Sequence, residues 1–346
     1  MAQRTLFLDE GPGETRAVVA LGGAPERLLI ERPGLIYPRL GARYVARVAR
    51  LDRGSGLALL DLGEEGEAAL RLKADRPVPA EGRKLEVEIA IEPQGDKAAV
   101  ARILSDAEGA PRRLTSAPDL EHRLQAWAPD VAVVTGRAAR EAADEAESEA
   151  LASIYPLPGG GSAAIEHTRA LTAVDVDLGH GGEREAKRAA RQVNLLAIAE
   201  TARLLRLKAQ GGLVIFDLVG RGHDGQALAQ ALRTAFASDQ PGVAFGPVSR
   251  FGTIELAAPR RWRPLTDILC EGRAEPSPAT LAFRLLRAVE REALADPGGR
   301  IQARASAGVA AAAQAGLKAL EQRFGARLAL SCDAALADAA FEVSHK

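Results

Sequence analysis

Polarity alternates most clearly over Lys84–Glu92. There Leu85, Val87, Ile89 and Ile91 stand between Glu86, Glu88 and Glu92, the period of a half-buried strand. Shorter runs of the same kind cover Tyr44–Ala49, Gly56–Leu62, Glu67–Leu72 and Lys97–Leu104. Five short strands in about 70 residues suit a small closed barrel of the oligonucleotide-binding type, and equally a small meander packed on a neighbour. Before them, Arg16–Leu21 and Arg27–Glu31 read as a hairpin around Gly22-Gly-Ala-Pro25.

Past residue 105 the period changes. Arg137–Ile154 is Ala- and Glu-rich and helical by propensity. Its acids (Glu141, Asp144, Glu145, Glu147, Glu149) read as a solvated face, and Pro156–Gly161 breaks the helix. Residues 162–267 then read as strand, strand, helix, strand, helix, strand, strand. Ala163–Ile165 and Ala170–Val176 are the first two strands. A helix over about Glu183–Lys208 carries Val193, Leu196, Ala199, Ala202 and Leu205 near the 3.6 period, with Gly211-Gly212 as its stop. Residues 213–219 are apolar apart from Asp217, as expected of a strand covered on both faces. A helix over Asp224–Ala237 and strands at Val243–Phe245, Val248–Phe251 and Thr253–Leu256 complete a layered α/β unit. After the Glu275-Pro-Ser-Pro278 linker comes a small α+β unit with helices at Ala279–Ala295 and Val309–Phe324 and strands at Arg300–Ala305, Ala326–Ser331 and Ala340–Val343.

The fold class is therefore mixed α+β. Five segments are expected: 1–34 (hairpin), 35–104 (barrel), 105–158 (shortened helical connector), 159–269 (layered α/β) and 275–346 (small α+β). With 47% hydrophobic and 26% charged residues the 346-residue chain is globular in composition, and aromatics at 4% make the core aliphatic. A net charge of −1 gives no global pull toward nucleic acid, so such binding must rest on local basic patches. Two cysteines, Cys270 and Cys332, exclude a disulfide scaffold and a self-contained four-Cys zinc site, and fit a reducing cytoplasm. Neither an apolar leader nor a run of the length that spans a bilayer is seen, so no membrane partner is expected.

Candidate chemistry concentrates in Leu171–Phe251. Asp175 and Asp177 lie two apart on one strand and so share a face. Asp217 lies on a strand that a βαβ-like unit would place beside the first. Ionised carboxylates delivered toward a core need pairing or a cation. One oxygen from each of Asp175 and Asp217 can hold a single Mg²⁺, with Mn²⁺ as an alternative. The same spacing also fits Asp177 capping the turn and Asp217 pairing with a buried Arg. Arg260, Arg261, Trp262 and Arg263 form a basic patch with one aromatic, suited to phosphate and base or to a solvated loop with a docked Trp. His167 and His223 flank the acids, and a metal–water mechanism needs neither.

Leu171-Thr-Ala-Val-Asp-Val-Asp177, Asn194-Leu195, Ala199-Glu200, Arg203-Leu-Leu-Arg-Leu207, Gly211-Gly-Leu-Val-Ile-Phe-Asp217 and Ser249-Arg-Phe-Gly252 resemble, in order and spacing, the catalytic core of the ribonuclease E / ribonuclease G family. Weaker likeness joins 35–104 to that family's S1 RNA-binding domain, 1–34 to its N-terminal strands and 275–346 to its small C-terminal domain. The resemblance implies an S1-like OB barrel, a DNase I-like catalytic layer and a Mg²⁺-dependent endoribonuclease cutting single-stranded RNA by a metal-activated water. It implies Asp175 and Asp217 as metal ligands and Asp177 as a third catalytic position, where the family has Asn. It places Arg250 and Phe251 of the Arg-Phe-Gly motif near the RNA backbone and Asn194 on the helix beside the site. Read from the residues themselves, the basic positions Arg112, Arg113, Arg260 and Arg261 are further RNA-binding candidates, with Tyr44 as either a base platform or core.

Several positions depart from the family pattern. Gly220 stands where the family has a second acid after the metal-binding Asp. The zinc-link cysteine pair is missing, so no structural zinc is expected, and a monomer or weak dimer is implied. The span between Arg113 and Pro158 is far shorter than the family's, which removes most of its 5′-monophosphate sensor. Leu59 and Ala69 replace barrel aromatics. These departures motivate an alternative: an RNA-binding protein of the same descent that has lost catalysis.

Overall fold

The computed structural model describes all residues except 1–2, 74, 76, 180–185, 240–241, 273–274, 337–339 and 346. In chain order the elements are β1 (Arg4–Gly11), β2 (Glu14–Leu21), β3 (Ala24–Glu31), β4 (Arg43–Asp52), β5 (Leu57–Asp61), β6 (Glu67–Arg71), β7 (Lys84–Ile91), β8 (Ala99–Asp106), β9 (Arg112–Thr115), α1 (Leu120–Trp127), β10 (Val133–Val134), α2 (Arg137–Leu151), β11 (Ile154–Pro156), β12 (Ser162–His167), β13 (Thr172–Asp177), α3 (Ala186–Leu207), β14 (Gly212–Asp217), α4 (Gly225–Ala235), β15 (Ala244–Phe245), β16 (Thr253–Ala258), α5 (Leu265–Leu269), β17 (Cys270–Glu271), β18 (Glu275–Pro276), α6 (Pro278–Ala295), β19 (Ile301–Ala305), α7 (Ala307–Phe324), β20 (Leu328–Cys332) and β21 (Phe341–His345). The fold is mixed α+β, with seven α-helices among the described residues.

Strands β4 to β8 close on themselves in the order β5-β6-β8-β7-β4, with β4 also pairing β5. This is a five-stranded barrel around Tyr44, Val48, Leu60, Leu85, Val87 and Ile89. The basic residues Arg112 and Arg113 open β9, an edge strand added to β4. Glu92, at the barrel's exit, is 4% exposed and accepts from the backbone N–H groups of Leu40 (3.0 Å) and Arg263 (2.9 Å), fixing the barrel to the layered unit.

That unit is a six-stranded sheet in the order β11-β12-β13-β14-β16-β15, parallel only between β13 and β14. Val174, Val176, Val214, Phe216, Ile254 and Leu256 face the helical side and are buried with Val193, Ile198 and Leu205 of α3. Helix α3 does not stop on Gly211-Gly212 as the sequence suggests. Ala209 takes the left-handed turn, with φ 54°, and Gln210 N–H closes on Leu205 O at 2.9 Å. Val248–Phe251, expected as a strand, is a turn held by Ser249.

The acids of α2 are not all solvated. Glu147 is 2% exposed and meets Arg16 (0% exposed), Arg284 and Arg287. Arg16 also holds Asp9 at 2.6 Å and Asp144 at 2.7 Å. A buried ion network thus joins the N-terminal sheet, α2 and α6. Burial opposes Glu147's charge, but Arg287, Arg284 and Arg16 outweigh it and hold the carboxyl below its ordinary pKa.

Candidate active site

Every second residue of a strand faces one side. On β13 the buried set is Thr172, Val174 and Val176; the other set is Ala173, Asp175 and Asp177. On β14 Val214 and Phe216 are buried, and Leu213, Ile215 and Asp217 face away from the helices. Parallel register places Asp175 opposite Asp217. Neighbouring strands are roughly 4.8 Å apart, so two carboxylates start side by side on one face. Both are exposed, as is Asp177. This corrects the expectation that the strands deliver these acids into a core: the face opposite α3 is open, and strand β14 is covered on one side only.

Asp177, one pleat further along, accepts from Gly179 N–H at 3.1 Å through Oδ1 and so caps the turn leaving β13. The Ser249–Gly252 turn reaches the same sheet end. Thr253 pairs with Asp217, and Gly252 O accepts from Leu218 N–H at 3.2 Å. Arg250 is exposed, and its guanidinium carbon lies 4.6 Å from the ring centroid of Phe251, which is 75% exposed. Asp175, Asp217, Asp177, Arg250 and Phe251 therefore gather at one end of the sheet.

The remaining sequence candidates lie elsewhere. Asn194 is 1% exposed and offers no surface to RNA; its carboxamide is spent on Val219, just past Asp217. Tyr44 is fully buried in the barrel and donates to Glu65 at 2.5 Å, so it is core and not a base platform. Arg113 is exposed on β9 but paired with Glu65 at 2.6 Å, and exposed Arg112 donates to Ala110 O at 3.1 Å. Arg260 donates to Gly211 O at 3.2 Å, at the opposite end of β14 from Asp217 and roughly 20 Å away along the strand. Arg261 follows it and is exposed. The basic run and the acids thus do not form one constellation.

Among the described residues no group of three or more His, Cys, Asp or Glu is arranged to hold a metal ion. The donor set at the sheet end is two carboxylates on an open face, oxygen only. That suits a hard divalent cation such as Mg²⁺, which keeps several waters and takes one or two carboxylates plus phosphate. Sequence reasoning missed the Gly220-Arg221-Gly222 loop, which follows Asp217 at the same end. Two glycines one residue apart directly after a strand were the available signal.

Residues 106–261 match the model of the Ribonuclease E/G family. Ribonuclease E of Escherichia coli (strain K12) is 33% identical over 154 residues, covering 40% of this chain and 14% of that protein. The chloroplastic Ribonuclease E/G-like protein of Arabidopsis thaliana is 32% identical over 127 residues, 35% of this chain and 13% of that one. Ribonuclease G of Escherichia coli (strain K12) is 27% identical over 117 residues, 33% and 24% respectively. The chain thus spans only a minor part of the length of these relatives.

Proposed function

We propose, for a chain that belongs to the ribonuclease E/G family through residues 106–261, that it is an endoribonuclease cutting single-stranded RNA with a divalent cation, Mg²⁺ first, held by Asp175 and Asp217. The observation that carries this reading is the register pairing of these two residues, both exposed, at the carboxyl end of the parallel strand pair. In open α/β sheets that end is where ligands bind.

The protein's part is positioning and charge. Asp175 and Asp217 supply two adjacent oxygen donors on rigid strands. Asp177 fixes the turn beside them and leaves one further oxygen toward the open face. Arg250 brings positive charge to the phosphate backbone, and Phe251 offers an exposed ring for a base, where stacking contributes about 1–3 kcal/mol. When bound, the cation would activate water and offset charge on the scissile phosphate. Without it, three acids on one face oppose RNA and weaken, without abolishing, its engagement at this sheet end. On the same reading the five-stranded barrel serves as an S1-like oligonucleotide-binding module, and residues 159–269 as a DNase I-like layer.

The test is cleavage of an unstructured A/U-rich oligonucleotide by the purified full chain. Cleavage with Mg²⁺, stopped by EDTA and by Asp217→Asn with the fold intact by circular dichroism, supports the assignment. Full activity in Asp217→Asn overturns it. Salt-dependent binding without cleavage, indifferent to EDTA, replaces it with an RNA-binding protein that has lost catalysis.

A further inference from the structure

The strand ends that carry the acids also border a cavity of about 540 Å³ between α3 and the loop that follows β14. Its lining includes Lys187 and Arg191 of α3 and the run Gly220-Arg221-Gly222-His223. Arg191 is neutralised by Asp224 at 2.8 Å, and Asp224 is further engaged in capping Ala227 N–H at 3.0 Å. Lys187 and Arg221 are exposed and form no ion pair among the described residues. Among the described residues the cavity thus carries two cations without an ion-pair partner.

The loop adds donors. Val219 N–H is held by Asn194, and the next three amides, of Gly220, Arg221 and Gly222, make no hydrogen bond among the described residues. Gly220 has φ +93° and Gly222 φ +67°. A Cβ on Gly220 would meet the Ala190 Cβ at 3.1 Å, so a side chain there would crowd the cavity wall as well as strain the backbone. Unpaired loop amides beside lysine and arginine are the chemistry that binds phosphate oxygens. Among the described residues the one carboxylate lining the cavity is Asp224, which is paired with Arg191.

We infer that the Gly220–Gly222 loop, with Lys187 and Arg221, is a phosphate cradle, and that in the proposed reaction it holds the phosphate of a nucleotide adjacent to the bond being cut. Val219, on the cavity wall, is two residues beyond Asp217, roughly 7 Å along the chain. A single strand crossing this sheet end thus meets the carboxylate pair and the cradle in succession. The identification of the phosphate as RNA rests on the nuclease reading; the affinity of the loop for phosphate does not.

Two measurements on the full chain without metal test the two parts. In amide-resolved NMR, inorganic phosphate should shift the Gly220, Arg221 and Gly222 resonances saturably, chloride at matched ionic strength should not, and Lys187→Ala/Arg221→Ala should weaken the effect at least several-fold. No shift, the same shift with chloride, or an undiminished shift in the variant overturns the cradle. Both substituted side chains are exposed, and the wild-type titration decides the first point even if the variant folds poorly. In EDTA, the salt dependence of oligonucleotide binding should lose a slope of about one to two on a log–log plot in the double variant. An unchanged slope overturns the RNA assignment of the cradle while leaving phosphate binding standing. Neither measurement reads cleavage, so failure of the nuclease reading is seen separately.

Discussion

Asn194 holds both backbone groups of Val219: Nδ2 donates to the carbonyl at 2.9 Å, and Oδ1 accepts from the N–H at 3.1 Å. The pair ties the middle of α3 to the chain two residues past Asp217. A buried carboxamide spent in this way sets where β14 ends and where the Gly220 loop begins. Asn194→Ala should cost roughly 1–3 kcal/mol, since both backbone groups lose their partner. Because Asn194 is buried, any loss of RNA affinity in EDTA should be small and come through the Gly220 loop, while cleavage, on the proposed reading, should fall roughly tenfold to a hundredfold as the Asp217 end loses its position. Parallel urea melts, binding and rate measurements check this; a large affinity loss with unchanged stability would contradict it.

How far the site could be read from the chain depended on how local its determinants were. The pairing of Asp175 with Asp217 was legible because strand pairing brings equivalent positions together, and the parallel neighbours are joined by one helix. Their exposure was not. An apolar run such as Leu213–Val219 looks the same whether one face or both are covered, and here Leu213 is 41% exposed. Asn194 was taken for an RNA-side residue, and Tyr44 was left open between platform and core, because a polar side chain does not announce a buried partner on another element. Glu147 was misplaced for the same reason: its arginines lie 131, 137 and 140 residues away. Helix α1 went unseen because eight residues are too few for periodicity, although Asp119 capping His122 N–H was a local sign.

The burial of Arg16 sets a second expectation. Its guanidinium, fully buried, meets Asp9, Asp144 and Glu147, and Glu147 in turn meets Arg284 and Arg287. Removing this cation leaves the buried carboxylates Asp9 and Glu147 with only part of their compensation, a cost approaching the roughly 3–5 kcal/mol of a broken buried pair. Arg16→Ala should therefore unfold well below the wild type in a thermal or urea melt. The depressed Glu147 carboxyl gives the acid side of the same argument. Its stabilising effect is present above the ordinary glutamate pKa and is lost as pH falls through the lower folded value. A wild-type-like melt for Arg16→Ala would show the network to be energetically idle.

Tyr44 and Phe251 should behave oppositely. Tyr44 is buried, and both burial and its bond to Glu65 raise the phenol's pKa. Tyr44→Phe removes one hydrogen bond, about 1 kcal/mol, and leaves RNA affinity untouched. Phe251 is 75% exposed beside Arg250. Phe251→Ala should leave stability unchanged and weaken oligonucleotide binding by about 1–3 kcal/mol if a base stacks there. Fluorescence anisotropy with a labelled oligonucleotide separates the two. Loss of binding in Tyr44→Leu, with the fold intact, would restore the barrel tyrosine as a platform.

Lys208 yields a prediction in alkaline solution. It is 6% exposed, and its Nζ donates to Ala150 O at 2.6 Å and Ala152 O at 2.7 Å. Burial pushes its pKa down to about 8, against attraction from Glu149 and Cys270. The unfolded chain, with an ordinary lysine, binds more protons than the native state between pH 8 and the normal lysine range. Stability due to this group therefore rises with pH through that window, by on the order of 3 kcal/mol at most. The neutral amine still has two N–H bonds, enough for both carbonyls, so deprotonation removes the buried charge without orphaning either acceptor. Cys270, whose pKa burial raises, works in the opposite sense as the unfolded thiol ionises. Both proteins compared carry Cys270, so its effect cancels in their difference across the window above pH 8. Urea midpoints across it should rise in the wild type relative to Lys208→Met, whose own profile lacks the term. Parallel profiles for the two proteins would show that Lys208 keeps its proton throughout.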